Sequence, residues 1–402
     1  MMNAILLTKG TWGDIVPFLA VGRALKQRGH TVTLVTHASY EPTARRSGLE
    51  FAAIDTQDEF TAFIADGHLL NHPGGIVAFF RKHYLGRVER EYRLLLSLAD
   101  RPQSVLISRH MAGLADLLTH ERTGVPIIKF YLNVAHLRAR FLVTKLCQTV
   151  LRSDLEQART QLGFAPFPED PEWPCGAAAH IAAWPQWFFE KSRQWPANSF
   201  AAGFLMDDEA EGGPLDSRAA ALLESSQRAI LVTGGTGLFL ADRFYHSILS
   251  GCASLPYHLI VTSRRRDDLP DDLPANAHWF PFLPFAKVIP RVAAVIHHAG
   301  TGTLARALLA GVPQLLLPFG GDRPDTAARV QALGVGRLLL PPQWHPDAIT
   351  DALNELLASS QVRTRCSAFS HIVQRDNSAK TTVEIVERTL AACDAGCVTA
   401  RP

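Results

Sequence analysis

At 402 residues the chain is too long for one typical domain and fits two of about 200 residues, each large enough for a real core. Lys and Arg total 40 against 38 Asp and Glu, and the resulting net charge of +2 gives no polyanion footprint, so bulk nucleic-acid binding is disfavoured. The six cysteines (Cys147, Cys175, Cys252, Cys366, Cys393, Cys397) form no C-x-x-C pair, which argues against a zinc site or disulfide framework and fits a reduced, cytoplasmic setting; Ala4 to Leu7 is too short for a signal-peptide core and no apolar run reaches membrane-span length.

Ala4 to Thr8 predicts a strand, Lys9 to Asp14 a loop, Ile15 to Arg28 an amphipathic helix and Thr31 to Thr36 the next strand. Pro17 is tolerated in the first turn, where its missing N–H has no helical partner. The loop K-G-T-W-G-D is Gly-x-x-Gly, not the G-x-G-x-x-G of dinucleotide folds, and no G-K-[ST] marks a P-loop. Asp14 at the helix start suits a capping carboxylate, a role compatible with a second one as general base. Leu49 to Ile54, Ser104 to Ile107 and Pro126 to Tyr131 read as further strands between helical stretches such as Gly86 to Leu98, the alternation of a doubly wound α/β domain. Ile76 to Tyr84 and Ala135 to Leu151 are apolar with Arg and Lys interspersed; they read as ordinary amphipathic helices, with a peripheral membrane contact as the other reading.

Trp173, Trp184, Trp187, Phe188, Phe189 and Trp195 crowd a proline-bearing segment ahead of the strand Phe200 to Phe204. They either pack under a long loop or form an aromatic wall for an apolar acceptor, with Trp184 and Trp187 as its candidates. Met206 to Asp216 is acidic, bears Gly and Pro and lacks periodicity, which predicts a linker; its adjacent acids make no metal site.

Ala229 to Thr233 opens a second series of strands and is followed by G-G-T-G-L-F; Tyr257 to Thr262 and Ala277 to Leu283 continue it, the latter leading into P-F-A-K-V-I-P. Val292 to Ile296 then delivers His297 and His298 to a strand's carboxyl end. Gly300 and Gly302 let the backbone pass close to a ligand, and Thr301 or Thr303 caps the helix carrying Leu304, Ala307 and Leu308. Gly311 and Pro313 stop that helix. Gln314 to Leu317 is a strand, Phe319 to Pro324 a loop holding Asp322 and Arg323, and Thr326 to Leu333 a helix ended by Gly334. A helix N-terminus preceded by glycines and hydroxyl residues is an anion site, with phosphate the obvious guest and His298 and Thr303 adding hydrogen bonds. The alternative is that both histidines are satisfied by backbone and the threonines only cap.

The run H-H-A-G-T-G-T, then G-V-P-Q, a proline and D-R, resembles the donor-binding motif of GT-B glycosyltransferases of the UDP-glycosyltransferase type (family 1), in the bacterial branch of antibiotic glycosyltransferases and the rhamnosyltransferase of rhamnolipid synthesis. K-G-T-W-G-D resembles that family's N-terminal G-T-x-G-D, and the likeness runs through nearly the whole chain. It implies an α/β GT-B fold, two doubly wound Rossmann-like domains facing across a cleft. Residues 1–205 would form the acceptor-binding domain, 206–226 the linker, 227–377 the nucleotide-sugar-binding domain, and 378–402 a terminal helix crossing back to the first. Asp14 becomes the general base, since no His lies between Lys9 and Gly29 where plant relatives place one, and Trp12 and Gly13 lie beside the acceptor. Thr236 meets the diphosphate with His298, Gly300, Gly302 and Thr303; Phe282 and Leu283 pack on the base; Asp322 and Arg323 face the sugar. Ala299 for the family's Gly is a mild departure. Arg323 for the usual Gln is not, because Gln both donates and accepts whereas Arg only donates and stays charged. Its guanidinium either pairs with Asp322 or meets the diphosphate or an acidic or heavily modified sugar.

The implied reaction is inverting transfer of a hexose or deoxyhexose from a dTDP- or UDP-sugar to a hydroxyl of a small, apolar natural product, with no cofactor and no essential metal. A lipid acceptor is the alternative substrate. A nucleotide-sugar 2-epimerase and a catalytically silent partner protein are the alternatives of other classes.

Overall fold

The computed structural model describes residues 1–110, 113–138, 140–167, 176–191, 195–210, 212–236 and 243–396. The chain divides into two compact units, Met1–Leu205 with Asn377–Pro402, and Met206–Asp376.

The first unit is built on a seven-stranded sheet of β1 (Asn3–Leu7), β2 (Thr31–Thr36), β3 (Glu50–Ala53), β4 (Ser104–Arg109), β5 (Ile127–Tyr131), β6 (Ala179–Ala182) and β7 (Ser199–Ala201), in the order β3-β2-β1-β4-β5-β6-β7. Every pairing is parallel. Such a sheet is covered on both faces, so β1, β4 and β5 read as near-continuous apolar runs and are buried throughout or nearly so. Ile5, Leu7, Leu106 and Ile127 pack with Tyr92, Leu95 and Leu118 from the covering helices. Strand β6 lies inside the segment read above as an aromatic loop, and β7 ends at Ala201 rather than running through Phe204.

The second unit has six strands, β8 (Ala229–Thr233), β9 (His258–Thr262), β10 (Ala277–Phe280), β11 (Ala294–His297), β12 (Gln314–Leu316) and β13 (Gly336–Leu338), in the order β10-β9-β8-β11-β12-β13, again all parallel. Ser217–Glu224, within the stretch expected to be linker, is a helix capped by Asp216, and its Ala219 is fully buried in this unit's core beside Phe280 and Val288. A short Ala-Ala-Ala-Leu-Leu run supplies enough apolar surface to dock, which its acidic flank conceals.

The helix Ser378–Asp394 belongs to the first unit. Glu387 on it takes Arg28 at 2.9 and 2.6 Å and His30 at 2.9 Å. Among the described residues no helix is long and apolar enough to cross a membrane.

Candidate active site

In an open parallel sheet the chain leaves neighbouring strands in opposite directions where the strand order reverses, and the gap beyond the strands' carboxyl ends is where ligands settle. The order reverses between β1 and β4 in the first unit and between β8 and β11 in the second. Both places hold residues singled out by the sequence.

Beyond β1, Gly10 turns the chain at φ +134° and the helix Trp12–Gln27 begins. Asp14 is the third residue of that helix, and its Oδ2 accepts from the Thr11 N–H at 2.8 Å, so the capping role is real. Its other oxygen, Oδ1, pairs with Nη2 of Arg109 at the end of β4, 2.9 Å away. Gly10 is required here, because a Cβ on it would stand 2.1 Å from Asp14 Oδ2. Gly13 is exposed with no atom within 4 Å of a would-be Cβ, and Trp12 is half-buried with its ring 6.1 Å from that of Tyr40.

Two buried pairs that the sequence reading missed brace this loop. The Gly10 N–H donates to His37 Nε2 at 3.0 Å, so Nδ1 carries the ring proton and donates to Asp55 at 2.5 Å. Burial lowers the His37 pKa despite the neighbouring carboxylate, and with both nitrogens occupied the ring is a strut, not a base. Lys9 Nζ meets Glu91 at 2.6 Å with side chains 1 % and 2 % exposed. For Lys9, His37 and Asp55 the sequence signal is their position after strand ends; Glu91 lies inside the helix Val88–Ala99 and carries none.

Trp184 is fully buried, edge-on to Trp195 at 5.8 Å, and takes the packing alternative; it presents no surface to an acceptor. Trp187 is half-buried against Phe188 and Phe204. Trp173 lies outside the described residues.

Beyond β11, His297 and His298 part company. His297 is fully buried, with Nε2–H donating to Gln314 at 2.9 Å and Nδ1 accepting from the Ala299 N–H at 3.2 Å; burial lowers its pKa to about 4. His298 fits no such account. Its ring is lodged between Gly235 and Gly300, where added Cβ atoms would come within 2.3 and 2.5 Å of ring atoms. Its Nδ1 is buried with no hydrogen bond of normal geometry among the described residues. Burial first, then the nearby Arg323 charge and the neighbouring His297, push its pKa well below the usual value against a smaller opposing effect of the Thr233 backbone, so the ring is neutral. Ala299, directly after the two histidines, holds φ +72°, a left-handed conformation costing an L-residue about 1–2 kcal/mol, which explains the family's glycine.

The following helix, Thr301–Ala310, has Gly300 as its N-cap and no side-chain cap. The expectation that Thr301 or Thr303 caps it is therefore corrected: both stand inside the helix, and Thr303 is buried at its third position. The N–H groups of that first turn remain for a ligand. The turn after β8 approaches from the other side of the strand reversal, with the Gly234 N–H donating to the Tyr245 hydroxyl at 2.8 Å and Thr236 half-buried just beyond.

After β12, two glycines with φ +68° and +60° lead to Asp322, and Arg323 and Pro324 open the helix Arg323–Ala332 instead of lying in a loop. Proline suits a first helical turn, so Pro324 marks the start that the sequence reading placed at Thr326. Arg323 is buried, donates from Nη1 to the Phe319 carbonyl at 3.1 Å, and has its pKa lowered to about 10 by burial, with Asp322 acting oppositely; it is charged at neutral pH. Phe282 is 52 % exposed and available to stack, whereas Leu283 is 3 % exposed in the core and does not face a ligand. Among the described residues no cluster of His, Cys, Asp and Glu is arranged for a metal ion.

The chain is similar to known glycosyltransferases. Residues 4–92 match the glycosyltransferase family 28 N-terminal domain, and residues 246–392 match the erythromycin biosynthesis protein CIII-like C-terminal domain. O-mycaminosyltylonolide 6-deoxyallosyltransferase of Streptomyces fradiae is 22 % identical over 96 % of this chain and 97 % of its own length. Sterol 3-beta-glucosyltransferase UGT80A2 of Arabidopsis thaliana is 23 % identical over 89 % of this chain, which spans 61 % of that relative. The structure of glycosyltransferase VinC in complex with dTDP superposes with a TM-score of 0.72 at 20 % identity over 97 % of this chain and all of VinC, and spinosyn forosaminyltransferase SpnP with a TM-score of 0.73 at 18 % identity over 97 % and 99 %. The chain belongs to the family 1, antibiotic-type GT-B glycosyltransferases.

Proposed function

We propose that the protein transfers a hexose or deoxyhexose, with inversion, from a dTDP- or UDP-sugar to a hydroxyl of a small, largely apolar natural product. The observation that carries this is His298, a neutral imidazole whose buried Nδ1 makes no hydrogen bond of normal geometry among the described residues, beside a helix N-terminus without a side-chain cap. In the proposed reaction the acceptor O–H gives its proton to the Asp14 carboxylate and its oxygen attacks the anomeric carbon. The bond from that carbon to the diphosphate breaks, and the diphosphate leaves with the electron pair through an oxocarbenium-like state. Negative charge thus grows on the leaving group. Hydrogen bonds from His298, Thr303, Thr236 and the first-turn N–H groups, with the Arg323 charge nearby, stabilise it more in the transition state than in the ground state. That supply of positive potential replaces what a metal would provide, so chelation by EDTA should leave turnover unchanged. The nucleotide-sugar co-substrate suits a cytoplasmic setting.

The names of the relatives support deoxysugar transfer to natural products, and the sterol glucosyltransferases favour a lipid acceptor as the second reading. The test is incubation of the protein with dTDP-glucose, UDP-glucose and a dTDP-deoxyhexose, each with a polyketide alcohol or a sterol. Mass spectrometry should show the acceptor gaining one sugar only with the polyketide. Gain on the sterol alone selects the lipid reading, and nucleotide release without acceptor consumption selects an epimerase.

A further inference from the structure

Arg109 belongs to no sequence motif, yet its side chain ties the Asp14 loop to the sheet. At the end of β4 it reaches across the strand reversal, with Nη2 on Asp14 Oδ1 at 2.9 Å, Nη1 on the Lys9 carbonyl at 3.2 Å, and the Tyr84 hydroxyl beside it. Lys9 is itself immobile, because its ammonium is buried against Glu91 and lies 4.5 Å over the Tyr84 ring. The loop is thus held at both ends: at Lys9 by a buried ion pair, at Asp14 by the guanidinium. Capping the helix uses only Oδ2 of Asp14, through the Thr11 N–H. The Arg109 bond to Oδ1 is surplus to that need. The pair is neither sealed nor free, with side chains 15 % and 21 % exposed, so an incoming hydroxyl can reach the carboxylate while its orientation stays fixed.

We infer that Arg109 is a positioning residue for sugar transfer, aiming the Asp14 carboxylate by holding Oδ1 while the helix cap holds Oδ2. The inference rests on the reading of Asp14 as the base. Arg109 keeps all its protons; the transferred proton passes from the acceptor hydroxyl to Asp14. Arginine fits the task because its rigid planar fork spans the Lys9 carbonyl and the carboxylate together, which a lysine ammonium cannot reproduce.

The experiment compares Arg109→Ala, Arg109→Lys and Asp14→Asn for kcat at saturating substrates, calorimetric dTDP affinity, unfolding midpoint and response to millimolar guanidinium ion. Arg109→Ala should lower kcat roughly 10- to 100-fold with dTDP affinity unchanged, the scale expected of a misaimed catalytic group, and added guanidinium should restore several-fold. Arg109→Lys, which keeps the charge, should fold and still lose at least several-fold in kcat. No rescue of Asp14→Asn/Arg109→Ala is expected, since the group to be aimed is gone. Wild-type kcat in Arg109→Lys, or a loss in Arg109→Ala that guanidinium does not relieve, overturns the inference. Normal turnover in Asp14→Asn fails the base assignment instead, so the two failures are told apart.

Discussion

The two strand reversals share a topology and differ in how their polar groups are used. In the first unit almost every group there answers to another within the protein: Asp14 to Arg109 and Thr11, Lys9 to Glu91, His37 to Asp55 and Gly10. In the second unit the described residues at the reversal are glycines, a helix end without a side-chain cap and an imidazole whose Nδ1 makes no hydrogen bond of normal geometry among them. In the proposed reaction the difference matches what each half has to do. A group that must take a proton at one atom needs its aim fixed beforehand, whereas a pocket for a diphosphate needs donors left over.

The sharpest way to break the comparison is Asp14→Asn. It keeps the size and a capping oxygen but removes the proton acceptor, so kcat should fall by roughly 10² to 10⁴ while dTDP affinity holds. Steady-state kinetics beside calorimetry checks it, and equal losses in both would move the catalytic role elsewhere. Next in size is the ligand pocket. His298→Ala should weaken dTDP or UDP binding by about 1.5–3 kcal/mol, the value of a hydrogen bond to a charged group, with the circular dichroism spectrum unchanged. Gly300→Ala sharpens that test. Gly300 has φ −66°, which alanine adopts without strain, yet its new Cβ would lie 2.5 Å from His298 Nε2, so affinity should drop although the backbone tolerates the change. Undiminished nucleotide affinity in both variants would leave His298 a packing residue.

Arg323→Gln probes the buried cation of the second edge. Restoring the family's usual residue should change kcat/KM for the native donor by about 1.5–3 kcal/mol and reorder a panel of nucleotide sugars; an unchanged ranking with UDP-glucose first would refute a specificity role.

A pH test draws on something the two units have in common. Burial lowers His297 to about 4 in one unit and His136 and His180 to about 3 in the other, all below the ordinary 6.5. As pH falls, the unfolded chain takes up these protons first. The stability they contribute is therefore complete above about pH 6.5 and lost between there and 3–4, by at most about 1.4 kcal/mol per pH unit for each ring. Urea midpoints should decline steadily from pH 7 to 5, and a flat profile in that range would contradict neutral burial.

Much of this was legible in the residues because parallel strands are buried on both faces and announce themselves as apolar runs; β2 and β8 fall where the pattern places them. The turn at His298 was legible for a related reason, since glycines and a strand-end histidine are local signals. Arg109 was not, because its partner lies far away along the chain and only the sheet order brings the two strand ends together. Trp184 misled because aromatic residues serve cores and binding walls alike, and burial alone separates the uses. The strand β6 was hidden by its neighbours, as the four residues Ala-His-Ile-Ala carry little periodicity amid prolines and tryptophans.

The return of the last helix to the first unit has a consequence for anyone exchanging halves between such enzymes. Gly203, at φ +97°, leaves no room for a side chain because Ser378 Oγ would stand 2.2 Å from its Cβ, and Glu387 closes on Arg28 and His30. A hybrid spliced only near residue 205 would graft a foreign tail onto the first unit, losing the clasp and meeting a steric block at one glycine. The second unit is exchangeable as a cassette with two junctions, near 205 and 376, not as a C-terminal fragment.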